Sequence, residues 1–506
     1  MKSDASIADS ESLDSRAHRG AVWSGINMLM TKLAGIAVTI VVVRIVSPHD
    51  FGVFAAALIV HTIVSSFAEL GVASCVARRD LSLDDHAPTV AAISLISGTV
   101  FALIVFGFAE PIAAAFGAAD AKGPVQVLSI CVFLTGFFAV PGAMMTREFR
   151  QDRLFIANLV AFVPANGLLI LLALDGNGAL AFAWSRVAGQ LFVGLVIILT
   201  PQRFYWPRIN RGKLRPILKF GLPLAGANLI NYTLLNADFA FISRILGPAV
   251  LGIYVLAFNI ASWSSSVLGS TINSVAMTAF SESGLEATHL RDRLARWTRL
   301  TALVACPIAA MTAVLSTDIV VGLYGEKWAE AGPVLAVLGI YGAMFTTSLL
   351  LSNLLVARGQ SWRVLLVQAG WLAALVPGLW LGVSQFGVLG AAWVHVGVIA
   401  CLVLPLYLWM LRSAVEDLPG LLFRAAAGPL LAAIAAAGAA YAVILPISGS
   451  WWRIAAAALT GLFIYMATAL PLAREVWGGA NTRLAPLFST YDSLLARFAK
   501  IRRRST

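Results

Sequence analysis

Charge is what this sequence has least of. Only 12% of its 506 residues are Asp, Glu, Lys or Arg, against about 25% in an ordinary soluble domain, and this excludes a water-soluble globule. Disorder is excluded with it, because so apolar a chain does not stay solvated. Cysteine is scarce as well. Cys75, Cys131, Cys306 and Cys401 lie far apart with no CxxC pair, so they read as small buried hydrophobes rather than as a disulfide or metal framework. The acids form no metal-binding cluster, and Asp84-Asp85-His86 is too short to argue for one. There is no G-x-x-x-x-G-K-[ST] segment, so ATP is not the direct driver, and neither H-E-x-x-H nor G-x-S-x-G occurs. Long outward loops are missing too. The longest, 109–123, carries only Glu110, Asp120 and Lys122 as charges, which leaves a membrane glycosyltransferase or polymerase no room for an active site. No enzyme and no resident cofactor are expected.

What is plentiful is apolar sequence: 59% of residues are hydrophobic and mean hydropathy is +0.85. A spanning helix needs roughly 20 such residues. Fourteen runs qualify, at 21–46, 51–74, 89–108, 124–145, 155–174, 179–200, 218–243, 249–280, 299–322, 333–357, 364–383, 387–411, 425–446 and 451–472. The expectation is an all-α integral membrane protein of about 14 transmembrane helices. Residues 1–20 are polar, and the first run is long enough to be retained rather than cleaved. Links as short as Ser47-Pro48-His49-Asp50, Asp175-Gly176-Asn177-Gly178 and Ser384-Gln385-Phe386 force antiparallel neighbours.

The basic residues sort by side. With the N-terminus in the cytoplasm, 29 of the 36 Lys and Arg fall on the inner side and five on the outer, with Lys32 and Arg186 inside spans. That bias predicts both ends inside, and it accounts for the formal +11 charge without nucleic acid. Trp23, Trp206, Trp297, Trp328, Trp362, Trp451 and Trp452 fall at span ends, where indole favours the headgroup zone. Beyond Leu484, Leu487, Phe488, Tyr491, Leu494, Leu495 and Phe498 recur at helical spacing before Lys500-Ile501-Arg502-Arg503-Arg504, the pattern of an amphipathic helix on the inner leaflet.

The chain repeats itself. Arg44-Ile45-Val46-Ser47-Pro48 through Gly52 matches Arg244-Ile245-Leu246-Gly247-Pro248 through Gly252, and Gly123-Pro124-Val125 matches Gly332-Pro333-Val334. Gln151 answers Gln360, and Ala183-Trp184 answers Ala392-Trp393. Six spans per copy is an even number, so the copies insert in parallel about an axis along the membrane normal, with substrate expected at their interface. The layout is a cytoplasmic segment (1–20), an N-lobe (21–200), a basic linker (201–217), a C-lobe (218–411), two extra spans (425–472) and a basic amphipathic tail (473–506).

The junction Arg44-Ile45-Val46-Ser47-Pro48-His49-Asp50-Phe51-Gly52, with Trp23-Ser24-Gly25 before it and Glu69-Leu70-Gly71 through Arg78-Arg79 after it, resembles the N-terminal stretch of polysaccharide transporters. These are the Wzx-type flippases of lipid-linked oligosaccharides, in the multidrug/oligosaccharidyl-lipid/polysaccharide exporter superfamily. His49 stands where the family has Glu. The resemblance implies two six-helix lobes about a cavity and alternating access. It implies as cargo a polyprenyl-diphosphate-linked oligosaccharide moved across the bacterial cytoplasmic membrane for cell-surface or exo-polysaccharide. Membrane lipids, with a polymerase and glycosyltransferases of the same pathway, are the partners it implies. A multidrug or cation antiporter of the same superfamily and a peptidoglycan-precursor flippase are the alternatives, and the extra span pair does not choose between flippases.

Ionisable groups inside the bilayer are costly and mark candidate sites. Lys32 either faces water and meets an anionic head group or pairs with an acid or carbonyl. Arg186 lies about two turns from the outer end of its span, where it either enters the cavity or snorkels outward. Asn231 and Asn273 lie in polar stretches, the latter with Ser264, Ser265 and Ser266, and read as cavity groups or as interhelical hydrogen-bonding groups. Arg44 and Arg244 suit diphosphate by their planar forks, or cap helix carbonyls. Asp238 and Glu69 are candidates for coupling to a proton or sodium gradient. Asp238 otherwise partners Lys32, and Glu69 otherwise bridges to Arg78 and Arg79. His61 and His395 read as buried imidazoles.

Overall fold

The computed structural model describes residues 34–68, 76, 83–148, 150–200, 205–263 and 287–477. Among these every regular element is helical, and each of the fourteen apolar runs coincides with helix over its described part. In chain order they are α1 (Ala34–Ile45), α2 (Pro48–Ala68), α3 (Leu83–Gly107), α4 (Ala109–Ala115), α5 (Lys122–Arg147), α6 (Gln151–Leu174), α7 (Gly178–Leu199) and α8 (Arg211–Leu246). There follow α9 (Pro248–Trp263), α10 (Ala287–Tyr324), α11 (Ala331–Ala357), α12 (Ser361–Val398), α13 (Leu404–Leu411), α14 (Leu418–Ile444) and α15 (Ser450–Trp477). Ten of the described helices are long and apolar enough to cross a membrane. Large side chains such as Leu103, Val163, Leu199, Phe423 and Phe463 are two-thirds or more exposed, as they are when acyl chains rather than water surround the protein.

The short links have physical signatures. The break between α1 and α2 is tighter than the sequence suggests, because Pro48 already opens α2. Ser47 caps it: its hydroxyl accepts from the Asp50 amide (3.1 Å) and donates to the Asp50 carboxylate (2.6 Å), a reciprocal box that closes the helix start. Gly176 (φ +81°) and Gly178 (φ +42°) turn the chain between α6 and α7. At Ser384-Gln385-Phe386 the chain reverses as expected: Gly387 (φ +62°) breaks the helix, and the segments on either side fold back on each other so closely that a Cβ on Gly390 would fall on the Gly382 carbonyl.

The chain divides into two compact units, residues 1–255 and 256–506. In the first, α3 packs on α5 and α6 on α7. Gly98 and Gly136 bring α3 and α5 together so closely that a side chain at Gly136 would strike the Ser94 carbonyl. The repeat-equivalent glycines meet as well. A Cβ on Gly52 of α2 would fall on the Pro248 carbonyl, and one on Gly252 of α9 would fall on the Pro48 carbonyl. Two copies of one Pro-x-x-x-Gly motif thus pack reciprocally, which is a local two-fold relation. The basic stretch after α7 is partly helical, since α8 begins at Arg211. Its approach is pinned to the start of α3 by the Arg208 amide on the Pro88 carbonyl (3.0 Å) and the Tyr205 hydroxyl on Asp84 (2.8 Å).

In the second unit the two extra helices, α14 and α15, pack on α10. Ala425, Pro429, Ala432, Ala433, Ala436 and Ala440 form a buried small-residue stripe along α14 that permits close backbone approach. Leu315 of α10 meets Ala440, Ile444 and Ala457. Arg453 bridges to buried Asp318 (3.0 Å), and the Tyr465 hydroxyl donates to the Leu303 carbonyl (2.7 Å). One tryptophan departs from the expected headgroup position: Trp328 is fully buried, because the turn Glu326–Trp328 folds it inward, whereas Trp206, Trp362, Trp451 and Trp452 are exposed. Residues 1–33 and the tail from 478, where an amphipathic helix is expected, lie outside the described residues.

Candidate functional site

The first unit carries an open cavity of about 710 Å³. Four helices and one side chain of α8 build its wall. From α2 come Phe54, His61, Thr62, Ser65 and Ser66, and from α5 comes Thr135. From α6 come Asn158, Phe162 and Asn166, from α7 Phe182, Ser185, Arg186 and Gln190, and from α8 Tyr232. On α7 the lining positions Phe182, Arg186, Gln190 and Val193 are spaced at helical intervals and share one face. Arg186 stands eight residues below the start of α7, about 12 Å along the axis, near the middle of a hydrocarbon layer about 30 Å thick.

Arg186 carries no hydrogen bond and no ion pair among the described residues, and no described carboxylate lies on the wall. A guanidinium retained there offers five donors to whatever enters. His61 is 7% exposed, with Nδ1 3.4 Å from the Ser65 hydroxyl. Thr62 and Asn166 donate to backbone carbonyls of their own helices, Leu58 and Phe162. The Gln190 amide nitrogen donates both to the Thr135 hydroxyl (2.7 Å) and to the Cys131 carbonyl (3.1 Å). Near the N-terminal end of α7 Phe54 stacks on Phe182 (centroids 4.9 Å, 21° between planes), and Phe51 meets Phe182 edge-on.

Arg186 is thus among the residues that line the cavity, with its side chain exposed. Asn231 is exposed and off this wall, one residue from the lining Tyr232. Asp238 is 1% exposed, off the wall, and accepts from the Tyr254 hydroxyl at 2.9 Å. Arg244 reaches the Ala114 carbonyl (3.4 Å), beside Ser243, whose hydroxyl donates to the Phe116 carbonyl (2.7 Å); these contacts dock the end of α8 on the connection between α3 and α5. On that loop Lys122 bridges to Glu110 (2.7 Å), and its hydrogen bond holds the Glu110 carboxyl below the usual range. Arg44 is exposed at the end of α1. Lys32, Glu69 and Asn273 lie outside the described residues. His61, Asn158 and Gln190 were not singled out from sequence as cavity groups. The signal that finds Gln190 is its four-residue spacing from Arg186.

The second unit holds an apolar groove at the bend of α12, between Leu381, Phe386, Trp393 and Val394, with no charged side chain among its described lining residues.

A helical bundle that crosses the membrane many times and keeps a cation inside a polar cavity has the build of a membrane transporter. A family model described as polysaccharide biosynthesis protein matches residues 41–333, and the chain belongs to that family. The lipopolysaccharide biosynthesis protein WzxC of Escherichia coli is 24% identical over 357 residues, 69% of this chain and 71% of its own. The succinoglycan biosynthesis transport protein ExoT of Rhizobium meliloti is 26% identical over 338 residues, 65% of this chain and 66% of its own. Among solved structures, the lipid II flippase MurJ in an inward closed conformation superposes with a TM-score of 0.75. It is 13% identical and covers 90% of this chain and 99% of its own. An inward-facing multidrug resistance MATE family transporter gives 0.61 at 17% identity, over 79% of this chain and 99% of its own. At such identities both likenesses concern the fold.

Proposed function

We propose that this protein is a flippase for a polyprenyl-diphosphate-linked oligosaccharide, working by alternating access in the bacterial cytoplasmic membrane for surface or exo-polysaccharide synthesis. The observation that carries this reading is the Arg186 guanidinium, unpaired among the described residues and on the wall of a polar cavity. An intramembrane cation without a carboxylate is stabilised by an anionic ligand, and the planar guanidinium matches a phosphate oxygen pair. Hydroxyls and amides on the same wall suit sugars, while the polyprenyl tail stays in lipid. Family membership and relatives named for lipopolysaccharide and succinoglycan biosynthesis support the same cargo class. Both termini are proposed to face the cytoplasm. A proton or sodium gradient, or consumption of cargo outside, is proposed to set direction, with polymerase and glycosyltransferases as pathway partners.

A multidrug antiporter is the second reading, supported by the MATE likeness. Such chemistry calls for carboxylates to receive cations, and the described wall offers a cation instead. The test is Arg186→Gln in a strain lacking the chromosomal gene. Polymer export falls at least about tenfold, the scale of losing a charge-assisted bond pair, and lipid-linked glycan accumulates on the cytoplasmic face. Arg186→Lys recovers part of the export. Full export by membrane-inserted Arg186→Gln, or a drug-resistance phenotype on overexpression, overturns the proposal.

A further inference from the structure

The cavity is polarised along its length, and the polarity specifies more than an anion. Toward the N-terminal end of α7 it is lined by the Phe54–Phe182 stack. Arg186 follows one turn below Phe182 on the same face of α7, and Gln190 one turn below Arg186. Ser65 and Ser66 of α2 and Asn158 of α6 line the same cavity.

The orientation of the Gln190 amide is decided by chemistry. A backbone carbonyl only accepts, so the group touching the Cys131 oxygen is the NH₂. The Thr135 hydroxyl spends its own proton on that carbonyl (2.9 Å) and so accepts from Gln190. Both amide protons are thereby committed to α5, and Oε1 is left as a fixed acceptor on the cavity wall. Ser66 adds a second uncommitted group: it is 6% exposed and its hydroxyl has no hydrogen-bond partner among the described residues. A buried polar atom left so costs free energy until a ligand or water meets it.

We infer that Arg186 and Gln190 together form a reading site for a glycosyl phosphate junction, with Arg186 on the phosphate and Gln190 Oε1 accepting from a hydroxyl or N-acyl N–H of the attached sugar. The donors of the guanidinium and the acceptor of the amide lie one helical turn apart, about 6 Å, which matches a ligand that is anionic at one end and a hydrogen-bond donor at the other. Inorganic phosphate satisfies only half of this arrangement and a free sugar only the other half. Gln190 is thus a specificity-determining residue, and Thr135 positions it. The inference rests on the flippase reading, because it places the head group of the cargo in this cavity.

The experiment is calorimetric titration of the full-length protein in detergent with glucose 1-phosphate, N-acetylglucosamine 1-phosphate, inorganic phosphate and methyl glucoside. In the wild type at least one sugar phosphate binds about tenfold tighter than inorganic phosphate, and methyl glucoside binds more weakly than either, as expected for one added hydrogen-bonded contact. Gln190→Leu brings that sugar phosphate down to the affinity of inorganic phosphate. Thr135→Val frees the amide to rotate and loses part of the preference, and this second variant, with thermal unfolding curves for both, separates lost recognition from lost folding. Equal binding of sugar phosphate and inorganic phosphate by the wild type, or an undiminished preference in folded Gln190→Leu, overturns the inference and leaves the flippase reading standing. If phosphate binding persists undiminished in Arg186→Gln, the anion site itself is wrong and both readings fall.

Discussion

Arg186 and Asp318 are both charged residues within helices of apolar sequence, and they do opposite work. Asp318 is 5% exposed and bridged to Arg453, so its charge is consumed by structure. Removing one partner of such a pair strands the other in low dielectric. Asp318→Leu should cost on the order of 2 kcal/mol, below the range for fully buried pairs because Arg453 keeps partial solvent access. The double variant Asp318→Leu with Arg453→Met should recover most of that, since an apolar pair needs no desolvation. Denaturant unfolding in detergent checks both; a double variant weaker than either single contradicts the argument. Arg186 has no such partner among the described residues. In the sequence its intramembrane position marks it as costly, but the choice between cavity and lipid is set by which way α7 turns, and that is decided by α2, α5 and α6 around it. His61 was legible as buried, whereas its place on the cavity wall depends on the same neighbours.

At the scale of elements, the repeated Pro-x-x-x-Gly motif is the most informative feature. In sequence it is evidence of duplication. In the structure each copy supplies the notch into which the other copy's backbone fits, at Gly52 and Gly252. Alanine is the smallest side chain and still finds a carbonyl in its way. Gly52→Ala and Gly252→Ala should each insert normally yet force α2 and α9 apart, lowering transport several-fold, and Gly52→Leu should abolish it. Surface-glycan assays beside membrane quantification by immunoblot check this, and wild-type transport by Gly52→Leu would refute the close contact. The turn inside α12 was legible in the same way: Ser384-Gln385-Phe386 reads as a tight link between two spans, and Gly387 takes the positive φ that reverses the chain there, with Gly382 and Gly390 letting the two segments meet.

For the molecule as a whole, orientation follows from charge. The excess of Lys and Arg on alternate connections predicts residues 108–121 outside and 205–210 inside. Replacing the four native cysteines and introducing one at Asp120 or Arg208 tests this with a membrane-impermeant thiol reagent. The cysteine at 120 should label in intact cells and that at 208 only after permeabilisation; the reverse result inverts the topology.

The span count, the duplication and the basic asymmetry were set by the sequence itself, because each depends on composition and order along one chain: how many residues a bilayer needs, which motif recurs, where cations cannot cross. The site was decided by tertiary structure. Arg186 is the partial exception, visible as a cation in a span, but its neighbours on the wall come from five helices and carry no local signal of their own. Asn231 and Asp238, equally polar in sequence, lie off the wall, and Asp238 is taken up by Tyr254. Which polar side chains share one wet space depends on helix rotation, fixed by close contacts at residues such as Gly98, Gly136, Gly52 and Gly252, and no window along the chain encodes that rotation.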